Sequence, residues 1–189
     1  IDGQSLDDMS RGDIAKKISY LSQGRSIPDM TVGETVLHGR FPYLRYPKRY
    51  TETDRAIAHR SMEQMGIADL ADKHLSELSG GMLQTVYIAM ALTQDTDYIL
   101  LDEPTTYLDI SHQLTLMRTL SDLAKSGKGI ITVMHDLPLA FTFSDSVAVM
   151  KDRKISAVGS PDEIYCSEHI MNALGVSLKK EGSSYFYLF

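Results

Sequence analysis

Asp102 and Glu103 stand side by side after the unbroken apolar run Tyr98-Ile99-Leu100-Leu101 and directly before Pro104. Such a run reads as a buried strand, and open α/β sheets bind ligands at the carboxyl ends of their strands. Two negative charges are unfavourable there unless a cation or a proton-transfer role compensates them. A Mg²⁺ ion held through Asp102 would do so, and Glu103 could then orient or deprotonate a water. An exposed acidic turn explains the same pair, and the pair alone does not decide between them. His135-Asp136 follows a second apolar run, Ile130 to Met134, and so falls at the same sheet edge. An imidazole at that place can contact a terminal phosphate, or it can simply be satisfied by a local backbone group. Leu78-Ser79-Gly80-Gly81 precedes a long helical stretch. Ser79 can cap that helix, the glycines let backbone approach a ligand, and the free N–H groups suit phosphate oxygens. Taken by itself it is equally a plain helix cap. Gln23 ends the first recognisable strand and could reach a metal or water from that edge.

The elements that must position these residues follow from periodicity and punctuation. Residues 17–23 alternate as a short strand. Thr31 with Glu34, and Thr51 with Asp54, open helices over residues 31–39 and 51–65, and Gly66 ends the second. Gly80 to Thr93 is a strong helix, apolar in its second half. Strands at 98–101 and 129–134 flank a helix over 110–124. A short helix spans 137–143, two strands joined by a tight turn span 145–158, and short helices occupy 161–165 and 167–174. Residues 185–189 suit a last strand. Continuous apolar strands alternating with helices predict a sheet buried on both faces. The helix-rich stretch from 24 to 93 reads as a helical subdomain inserted in an α/β core. The expected division is a core from 1–23 and 94–160, the subdomain from 24–93, and a C-terminal tail from 161–189.

Composition excludes several classes. The chain has 189 residues, 43% hydrophobic and 23% charged, as in an ordinary globular protein. One cysteine, Cys166, rules out an intramolecular disulfide framework. No apolar run has the length of a membrane-spanning helix. Lys plus Arg is 19 against 25 for Asp plus Glu, a net charge of -6 that argues against bulk binding of nucleic acid. The ten methionines read as core filling.

In order and spacing, these pieces together resemble the nucleotide-binding subunit of ATP-binding cassette (ABC) transporters. The matching residues are Ser22-Gln23 as Q-loop, Leu78 to Gly81 as signature, Tyr98 to Asp102 with Glu103 as Walker B, Leu108-Asp109 as D-loop and His135 as switch histidine. The likeness runs from Ile1 to about Pro161. Thr105 to Gln113 and Gly39 to Tyr43 look most like the importer ATPases for iron–siderophore complexes, haem and cobalamin. The resemblance implies a P-loop NTPase-type (RecA-like) core with an inserted helical subdomain, using ATP and Mg²⁺. It implies head-to-tail pairing with a second ATPase subunit. Ser79, Gly80 and Gly81 would close on ATP held by the partner. Asp102 and Gln23 would hold Mg²⁺ through water, Glu103 would be the general base, His135 the γ-phosphate contact, and Asp109 the link across the dimer. Integral membrane permease subunits and, indirectly, an external solute-binding protein are the implied partners, at the cytoplasmic face of the cell membrane.

The chain departs from that pattern in two places. After the signature the family continues Gln-Arg-Gln-Arg, whereas this chain has Met82-Leu83-Gln84-Thr85, and only Gln84 agrees. The P-loop pattern Gly-x₄-Gly-Lys-Ser/Thr does not occur, because the one Gly-Lys pair, Gly127-Lys128, has Asp122 and Gly129 at the other required positions. The chain opens on Ile1, in what reads as a strand leaving into a turn, so an N-terminal truncation is expected. By themselves the 189 residues are expected to bind MgATP poorly. Two other readings stay open: an inactive module for binding or dimerisation, and an ABC-type ATPase that does not transport. Residues 39–60 interleave Arg40, Arg45, Lys48, Arg49, Arg55 and Arg60 with aromatics. They read as a solvated loop or a permease contact, not a nucleic-acid surface.

Overall fold

The structure, a computed structural model, describes residues 1–22 and 27–188. The chain packs as two compact units, residues 1–133 and residues 134–189.

The first unit is built on a three-stranded parallel sheet, β1 (Ile18–Leu21), β2 (Tyr98–Asp102) and β3 (Gly129–Val133), with β2 in the middle. Ile18 is in register with Tyr98, and Tyr98 with Gly129, so side chains of one row share a face. Parallel neighbours need long crossovers. The connection from β2 to β3 is α5 (Ile110–Lys125), and the far longer connection from β1 to β2 carries α2 (Val32–His38), α3 (Glu52–Gln64) and α4 (Gly80–Thr93). A short α1 (Arg11–Lys17) leads into β1.

The helix starts follow the expected chemistry. Thr31 and Glu34 form a reciprocal capping box on α2, and Thr51 and Asp54 form one on α3. Helices α2, α3 and α4 pack on one another, with Val32, Val36, Ala58, Met62, Val86 and Ile88 buried. Gly39 explains how closely α2 approaches α4, since a Cβ there would lie 2.3 Å from the Met90 carbonyl oxygen. Arg40 is buried beside it. Its Nε donates to Asp54 Oδ1 at 3.0 Å, and its Nη1 donates to the Thr93 carbonyl at 3.3 Å. Arg40 therefore belongs to the packing of this helical region and not to a basic surface.

One expectation fails. Leu21, Ile99 and Leu101 bury one face of the sheet, but on the other Tyr20 is 60% and Ile131 63% exposed. Among the described residues of this unit, no element covers that second face. Continuous apolar strands announce two covered faces, and only one is covered within these residues. The methionines are also mixed: Met62, Met65 and Met117 are buried, whereas Met150 and Met171 are exposed.

The second unit holds α6 (Leu137–Phe143), the antiparallel pair β4 (Val147–Lys151) and β5 (Lys154–Gly159), α7 (Pro161–Tyr165), α8 (His169–Leu174), and the antiparallel pair β6 (Ser177–Glu181) and β7 (Ser184–Leu188). Asp152 and Arg153 both have positive φ, at 50° and 63°. That backbone matches the twist of a two-residue hairpin. Leu137, Phe141, Val149, Ile164, Ile170 and Tyr185 form one core. Phe141 and Tyr165 meet the Tyr185 ring edge-on at 5.2 and 5.5 Å. The sequence reading sets residues 161–189 apart as a tail, whereas packing joins them with 134–160. Strand β6 is also unforeseen. Its Ser-Leu-Lys-Lys-Glu sequence carries no strand signature and pairs only because Gly182, at φ 62°, turns the chain back.

Candidate functional site

Asp102 is the last residue of β2, at the carboxyl end of the parallel sheet, and is half-buried. The chain leaves the strand through Glu103, whose φ is 47° and whose N–H donates to the Val133 carbonyl at 2.9 Å. A non-glycine residue in that region is strained, and the strain sits where the chain leaves the strand. The Glu103 carboxylate accepts from the Thr106 hydroxyl at 3.2 Å. Tyr107 is a second strained residue, at φ 67° and 81% exposed.

Three side-chain bonds tie this segment to its surroundings. Gln84 Nε2, from the second turn of α4, donates to the Pro104 carbonyl at 3.1 Å. Gln113 Nε2, from α5, reaches the carbonyls of Thr105 and Leu108, each at 3.2 Å. Of the four positions after the signature, Gln84 is the one that agrees with the family pattern, and it bridges the two motifs.

Ser79 caps α4, accepting from the Met82 N–H at 3.4 Å. The following glycines serve different purposes. At Gly80 a Cβ would meet nothing nearer than 3.9 Å, whereas at Gly81 it would lie 2.7 Å from the Tyr107 carbonyl oxygen. Ser79, Gly80, Gly81, Tyr107, Asp109 and His112 line one cavity of about 490 Å³. Asp109 caps α5: its Oδ1 accepts from the His112 N–H at 2.9 Å, and His112 Nδ1 lies 2.9 Å from the same oxygen. The His112 N–H, then its imidazole, hold the Asp109 carboxyl below the usual carboxylate range.

The structure therefore brings Ser79, Gly80, Gly81 and Asp109 around one cavity. Residues 104–108 connect that cavity to Asp102 and Glu103. His135 is exposed in the second unit, where its carbonyl accepts from the Tyr187 hydroxyl at 3.3 Å. Gln23 lies outside the described residues. Among the described residues, no group of three or more His, Cys, Asp or Glu is placed to hold a metal by itself. Mg²⁺ does not need such a cage. It keeps several waters and takes one or two carboxylates beside substrate phosphates, so the hard oxygens of Asp102 and Glu103 fit it. Sequence reasoning on the residues alone missed His112, Gln113 and Tyr107. The signal for His112 was its position three residues after the capping Asp109.

Comparison with known proteins gives the family. The chain is 36% identical over 179 residues to the "Probable siderophore transport system ATP-binding protein YusV" of Bacillus subtilis, covering 94% of this chain and 65% of that protein. It is 38% identical over 178 residues to the "Ferric enterobactin transport ATP-binding protein FepC" of Escherichia coli, covering 93% of this chain and 66% of that one. The chain thus spans a little under two thirds of the length of these relatives. Its fold superposes on the dimeric post-hydrolysis ATP-binding cassette MJ0796 bound to ADP and Pi with a TM-score of 0.73 and 27% identity, covering 85% of this chain and 72% of the cassette. The family model for ABC transporters matches residues 1–106. On that match, which takes in more than half of its residues, the chain belongs to the ABC transporter family.

Proposed function

We propose that the protein is the ATP-hydrolysing subunit of an ABC importer, working as a dimer against integral membrane permease subunits, peripheral to the cytoplasmic face of the membrane. The observation that carries this reading is the seating of the signature turn on the segment after β2, with Gly81 against the Tyr107 carbonyl and Gln84 bonded to the Pro104 carbonyl. One packed segment thereby presents Ser79-Gly80-Gly81 and Asp109 to a second subunit while carrying Asp102 and Glu103 at its own sheet edge.

In this reading Glu103, at the strained exit from the strand, takes the proton of the attacking water. Asp102 and, from outside the described residues, Gln23 would hold Mg²⁺ through water. Bound Mg²⁺ supplies charge neutralisation for the phosphates. Ser79 and the N–H groups at the start of α4 meet the phosphates of the nucleotide on the facing subunit. His135 contacts the γ-phosphate. Asp109 carries the state of one site to the other. The 189 residues contain no P-loop pattern, so they supply the acidic and signature sides of the site and not the phosphate cradle.

The cargo class is proposed from the relatives. YusV is named for siderophore transport and FepC for ferric enterobactin. We therefore assign iron–chelate uptake, with an external binding protein choosing the solute. The test is ATP hydrolysis by the full-length protein, reconstituted with its permease, with and without ferric siderophore and binding protein. Stimulation of turnover by the loaded binding protein supports the reading. ATP hydrolysis without any permease-dependent stimulation refutes the transport assignment, and absence of hydrolysis favours the inactive-module reading.

A further inference from the structure

The chain carries a net charge of -6, yet residues 35–51 contain no Asp or Glu at all. Within that stretch, Arg45-Tyr46-Pro47-Lys48-Arg49 forms the outer part of the connection from α2 to α3, and all five residues are exposed. Tyr46 is 98% exposed, the most exposed of the large hydrophobic side chains described. Among the described residues, no ion pair of the structure involves Arg45, Lys48 or Arg49. The two other arginines that precede them or follow them most closely are already committed: Arg40 to Asp54 inside the packing, and Arg55 to Glu52 at 3.8 Å.

The loop is held firmly from beneath. Phe41 stacks on His38 with ring centroids 5.2 Å apart, and Lys48 Nζ sits 4.6 Å from the Phe41 centroid. Tyr50 meets His38 Nδ1 at 3.5 Å, and the Arg40 guanidinium covers the Tyr43 ring at 3.9 Å. The base of the loop is therefore spent on internal contacts, Lys48 among them, and what it presents beside the exposed Tyr46 is Arg45 and Arg49, with the exposed Lys48 resting on the Phe41 ring.

We infer that this loop is a contact surface for anionic phospholipid headgroups. A planar, diffuse negative surface suits three exposed cations that lack an ion pair among the described residues, on long aliphatic stems, with an amphipathic ring between them that can sit at headgroup level. A nucleic-acid strand suits it poorly. Successive bases need a series of free aromatic faces, and here the Phe41 and Tyr43 rings each already carry a cation and the Tyr50 hydroxyl meets His38, so Tyr46 is the one almost fully exposed ring of the loop. An acidic peptide would want a groove, and Arg45 to Arg49 line neither of the two cavities described for this chain. The inference does not depend on ATP turnover and stands or falls separately from the proposed function.

The experiment is co-sedimentation of the full-length protein with vesicles of phosphatidylcholine alone, and of phosphatidylcholine mixed with phosphatidylglycerol, at low and high salt. Binding to the mixed vesicles alone, released by salt, is expected. The triple variant Arg45→Gln, Lys48→Gln, Arg49→Gln should lose on the order of 100-fold in vesicle affinity, at roughly fivefold per neutralised cation. A control of equal charge change, Lys16→Gln, Arg118→Gln, Lys125→Gln, should lose less than about fivefold, because those cations lie outside the loop. Tyr46→Ala should weaken binding without changing its salt dependence. Both triple variants change only exposed side chains, so an unchanged melting temperature checks that each is folded. Equal binding to neutral vesicles would overturn the inference in favour of adsorption that needs no anionic headgroup. Equal loss in the two triple variants, or no binding at low salt, would overturn it too. So would tighter binding to single-stranded homopolymer RNA than to mixed vesicles, lost in the loop variant.

Discussion

Gly81 lies under the Tyr107 carbonyl so closely that a Cβ at position 81 would come within 2.7 Å of its oxygen. The neighbour that would have to yield is backbone in a segment already strained at Glu103 and Tyr107. Overpacking of this kind costs about 1–3 kcal/mol. Gly81→Ala should lower the melting temperature and depress ATP hydrolysis together. Gly80→Ala meets nothing nearer than 3.9 Å and should leave the melting temperature unchanged. If Gly80→Ala nevertheless suppresses hydrolysis in the full-length protein, the loss comes from ligand approach and not from the fold. Equal melting temperatures for the two variants would contradict the assigned seating of the signature turn.

Glu103→Gln keeps the volume and an oxygen acceptor for the Thr106 hydroxyl, now 3.2 Å from the carboxylate. It removes the ability to take a proton. General-base contributions run to about 10²–10⁴-fold. The expected result in the full-length protein is nucleotide binding within about twofold of the parent, with turnover reduced by about that factor. Single-turnover hydrolysis measured beside nucleotide titration checks it, and unaltered turnover would remove Glu103 from the role of base.

Much of this layout was legible from residues 31–143 because local chemistry and tertiary packing agree there. Capping boxes at Thr31 and Thr51, and the strand ending at Asp102, form where spacing places them. Helix α4 runs over the expected residues, 80–93. What stayed illegible depends on contacts between segments distant in sequence. Nothing in Gly39 or Arg40 alone says that one lets α2 approach the Met90 carbonyl and the other is buried on Asp54. Strand β6 exists only through its pairing with β7. At the site, adjacency of Asp102 and Glu103 was plain, but not the bridge through Gln84 to Pro104, which links residues 20 positions apart.

Asp109 has two duties that a single variant can separate. Its carboxylate caps α5 through the His112 N–H, and it faces the cavity proposed to receive a second subunit. Asparagine caps helices about as well as aspartate. Asp109→Asn should therefore leave amide exchange at Ser111, His112 and Gln113 near the parent's rate, whereas Asp109→Ala should speed it. ATP hydrolysis by Asp109→Asn should nonetheless fall, because the charge proposed to act across the dimer is gone. Full activity with a protected helix start would assign Asp109 to capping alone.

Arg40 and Asp54 give the clearest stability prediction, since both side chains are close to 10% exposed, at 10% and 11%. Removing one partner of a buried pair leaves the other charge uncompensated and costs about 3–5 kcal/mol, whereas apolar replacement of both is often nearly neutral. Arg40→Ala should be destabilising to that extent in urea unfolding, and Arg40→Met with Asp54→Leu should recover only part of the loss, because it also breaks the Thr51 capping box and leaves the Thr93 carbonyl without the Arg40 donor. The pair also sets a pH dependence. Burial pushes the Asp54 carboxyl up, but the Thr51 N–H and hydroxyl together with the Arg40 guanidinium outweigh it and hold it below the usual carboxylate range. The unfolded chain, near about 3.9 for aspartate, then binds more protons than the folded one between the two values, so stability rises with pH there. The contribution is complete above about pH 5 and drains as pH falls below about 4 through the folded value. Urea midpoints measured across that window should fall less steeply in the Met–Leu double variant than in the parent. Equal slopes would mean that the Asp54 carboxylate carries no net stabilisation from its capping and Arg40 bonds.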